Sequence, residues 1–237
     1  MKPPLEPLEI FHGLWRLRDR ELALVASLLA SQGIDVEKSP AEALRWCAER
    51  AEAGDPKAQH ALAKLLWIGL PGPRDDRAAF DWCAKSNAQG YVPATVMLSG
   101  FYSTGIGVEV NNTRSIELLE VAVKEGSPEA MNLLGATYDH GLGVERDRSK
   151  ALELWRSAAQ LGNADAQCSL GSELIKSADR SEVSEGVRWL RAAADQGNYS
   201  AHSVLADLYE NGKAGLTEDK RLAAKYRETA AKLWGEE

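Results

Sequence analysis

The sequence predicts an all-α chain of about six helix-turn-helix repeats, and three observations carry that prediction. Glycines recur at Gly54, Gly90, Gly126, Gly162 and Gly197, separated by 36, 36, 36 and 35 residues. Four residues after each comes Ala (Ala58, Ala94, Ala130, Ala166, Ala201), and eight after comes Leu (Leu62, Leu98, Leu134, Leu170, Leu205). Twelve after stand Leu66, Tyr102, Tyr138, Leu174 and Tyr209, and eight before stand Trp46, Trp82, Leu118, Leu154 and Trp189. Offsets of 4, 8 and 12 place these side chains on one face of a helix. Ala151, Leu154, Ala158 and Ala159 do the same upstream of Gly162. A hairpin of this kind cannot bury its apolar face alone, so stability must come from stacking on its neighbours.

Taken in order, residues 1–13 are an N-terminal extension with three prolines and two glutamates in its first ten positions. Residues 14–237 are expected to form one array. Its first unit, 14–53, is an irregular capping repeat: Gly33 and Val36 keep register, but Arg18 stands where a glycine is expected. Atypical terminal units are usual in such arrays. Ser39-Pro40-Ala41-Glu42 is a capping-box signature for a helix start. Regular repeats then run from about 54 to 234, each with two amphipathic helices of about fourteen residues. The repeating glycine suits the left-handed residue that ends a helix. Asp55-Pro56 and Ser127-Pro128 open the next helix as N-cap plus Pro. The Ala positions let helices approach closely while Trp, Leu and Tyr fill the space between hairpins. Ala223, Tyr226, Ala230 and Ala231 mark a closing helix.

The stretch LGATYDHGLGVERDRSKALELWRSAAQLGNADAQCSLG, residues 134–171, strongly resembles the Sel-one-like repeat, a relative of the tetratricopeptide repeat. SGFYSTGIGVEVN, residues 99–111, supplies a second copy of its inter-helix turn. The resemblance covers roughly residues 20 to 234 and implies a right-handed α/α superhelical solenoid. Three turns depart from the pattern. GLPGPRDD (69–76) has prolines in place of Gly and Val, KSADRSEVSEG (176–186) loses the glycine turn, and NGKAGLTED (211–219) is one residue longer. Extracellular relatives often clamp the two helices of a repeat with paired Cys. Cys47 and Cys83 lie a full repeat apart, so that clamp is absent, as suits a reducing compartment.

Composition narrows the function. With 28 Lys plus Arg against 35 Asp plus Glu, the net charge is -7. An acidic chain without a basic tract is a poor phosphate-backbone binder, so no nucleic-acid partner is expected. The longest apolar stretch, Leu22 to Ala30, is interrupted by Ser27 and is about half the length that crosses a bilayer. No membrane insertion is expected, and the absence of an apolar leader region predicts a cytoplasmic protein, or a periplasmic one if a leader has been removed.

No catalytic constellation stands out. Cys47 and Cys83 share an offset that later repeats fill with Leu119 and Trp155, which marks them as apolar filler. Cys168 follows a different offset and is expected to face the groove, without a base beside it. His12, His60, His140 and His202 show no His-x-x-x-His spacing, and no Cys-x-x-Cys occurs, so neither metal nor cofactor is expected. The GIGV and GLGV turns lack the third glycine and the strand of a dinucleotide fingerprint. Four of the seven Trp sit at or beside a packing offset, whereas Trp67 does not. Trp67 is either an interface anchor or a local partner of the Pro71-Pro73 loop.

Tetratricopeptide-type solenoids present the first helix of each pair along a concave face. Transferred to this chain, that analogy puts Lys57, His60, Lys64, Trp67, Asn132, Asp139, His140, Ser172, Lys176, Asp207 and Glu210 on the inner surface, basic and aromatic at one end and acidic at the other. The expected function is a non-enzymatic protein–protein interaction scaffold or adaptor that holds another protein or a peptide segment there. The alternative is a bacterial immunity or inhibitor protein that neutralises a cognate toxin or effector, where acidity would suit a basic partner. An enzyme with an all-helical site ranks third.

Overall fold

The computed structural model describes residues 40–70 and 72–234. The N-terminal extension and the part of the capping repeat that holds Arg18, Gly33, Val36 and Ser39 lie outside them. Among the described residues, eleven helices follow one another: α1 (Pro40–Glu52), α2 (Pro56–Ile68), α3 (Asp76–Ala88), α4 (Val92–Thr104), α5 (Asn112–Lys124), α6 (Pro128–His140), α7 (Arg148–Gln160), α8 (Ala164–Leu174), α9 (Arg180–Asp195), α10 (Tyr199–Glu210) and α11 (Lys220–Trp234). The all-helical expectation holds among the described residues, with α1 to α4 and α6 to α11 each packed in sequence on the next. The chain divides into two compact units, one ending at Leu118 and one beginning at Leu119.

The local rules read from the sequence account for the boundaries. All five repeating glycines adopt positive φ, from 77° at Gly90 to 96° at Gly54. After four of the five the next helix opens on a side-chain cap, Tyr91 before α4 making none: Asp55 accepts from the Lys57 amide at 2.9 Å, and Ser127 from the Ala130 amide at 3.2 Å. Asn163 and Asn198 cap α8 and α10 in the same way. Each such cap supplies roughly 1 kcal/mol by satisfying an otherwise orphaned amide.

In the first unit, Ala43, Cys47 and Ala51 of α1 pack on Ala58, Ala61, Leu62 and Leu65 of α2. A second cluster joins Ala63, Ala79, Cys83, Ala94, Leu98, Phe101 and Leu118. In the second unit, Ala151, Trp155, Ala158 and Ala159 of α7 pack on Ala166, Leu170 and Leu174 of α8. Val187, Leu190, Ala193 and Ala194 of α9 then meet Ala201, Leu205 and Leu208 of α10. Here α8 also touches both α6 and α10, so the first helices of successive repeats lie side by side.

Two recurring devices were not legible from the glycine ruler. Nine residues after each repeating glycine stands a small buried residue: Ala63, Ser99, Gly135, Gly171 and Ala206. A Cβ on Gly135 would lie 2.7 Å from Trp155 Nε1, and one on Gly171 would lie 2.8 Å from the Gly186 carbonyl oxygen. These positions set how closely α6 approaches α7 and α8 approaches α9. Glutamines also link one repeat to the next. Gln59 Nε2 donates to the Ala51 carbonyl at 3.0 Å, and Gln89 Nε2 donates to Gln59 Oε1 at 2.8 Å. Gln167 and Gln196 repeat the arrangement at 3.2 and 2.7 Å.

The irregular turns behave differently from one another. Gly69 keeps a left-handed C-cap, with φ of 78° against 76° at Gly105, despite the prolines that follow. In the fourth repeat α8 stops at Leu174 after 11 residues, and α9 extends to 16. In the fifth, Ala214 takes a φ of 54°.

Candidate protein-binding face

The inner-face register falls on α2 in the first unit, and the structure does not leave all of it open. Lys57 is exposed, but His60 and Lys64 are buried, at 8% and 6% exposure. This corrects the expectation of an accessible basic end. The His60 ring meets Tyr91 edge-on, with centroids 5.4 Å apart. Burial, reinforced by the neighbouring Lys64 charge, pushes the His60 pKa down to about 3, so its imidazole is neutral throughout the ordinary pH range. Trp67 is half-buried against Phe101, with centroids 6.0 Å apart, and the Arg74 guanidinium lies 6.0 Å from its centroid. Its Nε1 is buried without an acceptor among the described residues. Of the two roles open to Trp67, packing beside the loop is the one with contacts behind it.

In the second unit the register residues other than Asn132 stand near the ends of three adjacent first helices. Asp139 and His140 end α6. Asp139 accepts from Arg146 at 3.3 Å, and His140 Nδ1 lies 2.9 Å from the Ala136 carbonyl oxygen. Ser172 is half-buried on α8, and the exposed Lys176 just beyond α8 donates to Glu173. Glu173 also accepts from Arg148 Nε at 2.6 Å, which ties α8 to α7. Burial alone would raise the Glu173 pKa, but the hydrogen bonds and charges of Lys176 and Arg148 outweigh it and hold the carboxyl below its ordinary range. Asp207 and Glu210 lie on α10 and share Arg227 of α11, with Asp207 3.7 Å away. Asn132 sits apart, half-buried: its carbonyl accepts from Trp155 Nε1 at 3.2 Å, and its Oδ1 is buried without a partner among the described residues. Glu173 and Arg227 escaped the sequence reading, because their ion pairs cross between helices at offsets the repeat does not mark.

All three thiols are buried, and burial raises the pKa of each above the usual thiol range. Cys47 and Cys83 are buried in the first unit, and burial pushes both pKa values up to about 12. Cys83 Sγ donates to the Ala94 carbonyl at 3.3 Å. Cys168, expected in the groove, is instead 8% exposed and packs with Val187 and Leu190, its pKa raised by burial to about 11. The apolar side chains Val187 and Leu190 of α9 cover it. Among the described residues, no three His, Cys, Asp or Glu side chains come together to hold a metal ion. None of the described helices is long and apolar enough to cross a membrane.

A repeating helical pair with small residues at its crossings, left-handed glycines between pairs and polar first-helix ends defines a class of repeat protein. The Sel1 repeat pattern matches residues 22–55, 56–91, 92–127, 128–163, 164–198 and 200–233, and the chain belongs to the Sel1 repeat family. The uncharacterized protein NMB1327 of Neisseria meningitidis serogroup B is 32% identical over 215 residues, which cover 91% of this chain and 36% of that protein. The chain thus spans about a third of the length of that curated relative. A Sel1 repeat protein from Oxalobacter formigenes superposes with a TM-score of 0.77 at 26% identity, covering 91% of this chain and 87% of that one. The immunity proteins Pa5087 and PA5088 of Pseudomonas aeruginosa superpose with TM-scores of 0.61 and 0.63 at 20% and 19% identity. Each alignment covers 99% of this chain, and 85% and 84% of theirs. At those identities they share the fold.

Proposed function

We propose that this chain is a non-enzymatic scaffold that binds another protein, or an extended segment of one, on the first-helix face of its second unit. The observation that carries this reading is that exposed polar side chains stand at the ends of α6, α8 and α10, three helices that lie side by side. His140, Lys176 and Asp207 are exposed there, while the apolar side chains beneath them are committed to the core. Six Sel1 repeats, a family used generally for binding, support it further. The buried, protonated thiols remove the obvious nucleophiles.

Immunity is the narrower version of the same reading. The fold is shared with immunity proteins of Pseudomonas aeruginosa, and a net charge of -7 would steer a basic toxin towards the chain. Affinity capture from native lysate, followed by identification of the bound protein, tests both. A captured protein released by Asp207→Lys with Glu210→Lys supports the face, and a toxin as the captured protein supports immunity. Capture that ignores these substitutions rules the face out.

A further inference from the structure

Two turns that break the repeat pattern meet at one place in the second unit. The polar segment 176–186 replaces the glycine turn of the fourth repeat, and the longer turn 211–219 follows in the fifth. Between the start of α9 and residues 214–216 lies an open groove of about 800 Å³. Its long wall is one face of α9, where Arg180, Val183, Ser184, Val187, Arg188 and Arg191 form two adjacent rows linked at three- and four-residue spacing. Leu216 and Ile175 add apolar surface.

The charge of this groove opposes that of the chain. Its lining holds three arginines and no Asp or Glu, in a sequence with 35 acidic and 28 basic residues. Elsewhere Arg77, Arg114, Arg146, Arg148 and Arg156 each carry a carboxylate. Arg180 and Arg188 are exposed and carry none among the described residues. Arg191 gives one N–H to the Tyr209 hydroxyl at 2.6 Å, and most of its donors remain. Like charges three residues apart on a helix repel, so Arg188 and Arg191 gain from an anion between them. At the rim, Ala214 holds a positive φ of 54°, a conformation that L side chains rarely adopt and that concentrates at binding sites.

We propose that this groove docks an extended acidic peptide segment with apolar side chains, contributed by a partner protein. Arg180 and Arg191 are separated by about 16 Å along the helix, at ~1.5 Å per residue, which is the span of about five extended residues. Guanidinium forks suit carboxylates in a bidentate manner, and the valines between them accept apolar side chains of the same segment. Three arginines beside an apolar wall offer too few phosphate contacts for a nucleic acid on an acidic chain. Local charge governs docking, because the field of the remaining acidic surface is screened within about 8 Å at physiological salt. The proposal rests on the binding-protein reading but not on the first-helix face.

The test pans a displayed library of random twelve-residue peptides on the whole chain. The recovered peptides are then measured by fluorescence anisotropy, with a single-stranded DNA 20-mer and inorganic phosphate as competing probes. The expected result is enrichment of Asp and Glu alternating with apolar residues. The best peptide should lose tenfold or more in affinity on Arg180→Glu with Arg188→Glu, and part of that on Arg188→Gln. Both arginines are exposed, so circular dichroism should show the variants folded. The same peptide should bind Asp207→Lys with Glu210→Lys as it binds the unaltered chain, which separates this groove from the first-helix face. Recovered peptides without acidic enrichment, or an affinity indifferent to the arginine variants, would overturn the proposal. So would arginine-dependent binding of the oligonucleotide or of phosphate alone without peptide binding.

Discussion

Acidification should destabilise the first unit through one buried imidazole. His60 has its pKa pushed from 6.5 down to about 3 by burial and by Lys64, so the folded chain holds it neutral where the unfolded chain protonates it. The unfolded state therefore binds more protons between these two values, and stability rises with pH across that window and falls as pH drops through it. Between about pH 7.5 and about pH 5, the unfolded chain gains most of a proton at this site, which costs the folded state about 2 kcal/mol. Only the unfolded chain titrates in this interval, so the figure depends on the ordinary histidine value and not on the depth of the depression. Urea unfolding of the protein and of His60→Gln at both pH values measures it, because carboxylates common to the two cancel. The variant should lose about 2 kcal/mol less than the parent on acidification. Equal losses would show that the imidazole titrates freely, and that Lys64 and Tyr91 do not enclose it.

Other perturbations follow from the same packing. Leu134→Ala removes a buried side chain at the offset that is Leu in all five regular repeats and should cost roughly 2–5 kcal/mol, whereas the exposed Arg180→Ala should change stability by less than about 0.5 kcal/mol, both read from denaturation midpoints. Gly171→Ala forces a Cβ within 2.8 Å of the Gly186 carbonyl oxygen and should destabilise by about 1–3 kcal/mol despite its better helix propensity; a stabilised variant would mean that α8 and α9 are not in close contact. Glu173→Gln should destabilise the chain above the ordinary carboxylate range, and the difference should vanish as pH falls through the depressed pKa of Glu173, as a pH series of thermal midpoints would show.

Much of the fold was legible because the repeat writes its rules locally. A glycine that must adopt positive φ, a capping residue beside it and apolar residues four apart are each visible in one sequence, and Gly54, Asp55 and Ala58 behave as read. What escaped depends on the neighbouring helix. Gly171 looks like any small residue until Gly186 is opposite it, and Gln59 acquires its role only from Gln89. The candidate face was less legible for the same reason. His60 and Lys64 share a register with the exposed Lys57, yet they are buried, since a helical offset fixes direction on one helix and not what packs against it. Cys168 shows the converse, a groove offset turned into core by Val187 and Leu190. Asp207 and Glu210 were legible as an acidic pair, but Arg227, which holds both, comes from the next helix.

Association kinetics decide whether a partner protein docks on the first-helix ends of the second unit. The captured partner is measured against the protein and against Asp207→Lys with Glu210→Lys, at low and at physiological salt. The pairs these carboxylates make with Arg227 are exposed and screened by solvent, so they contribute little and the fold should persist by circular dichroism. The association rate should fall at least severalfold, with a weakened salt dependence and a dissociation rate little changed, since peripheral charges steer encounters more than they hold complexes. Unaltered association of a folded variant would contradict this docking and would move the partner off this face.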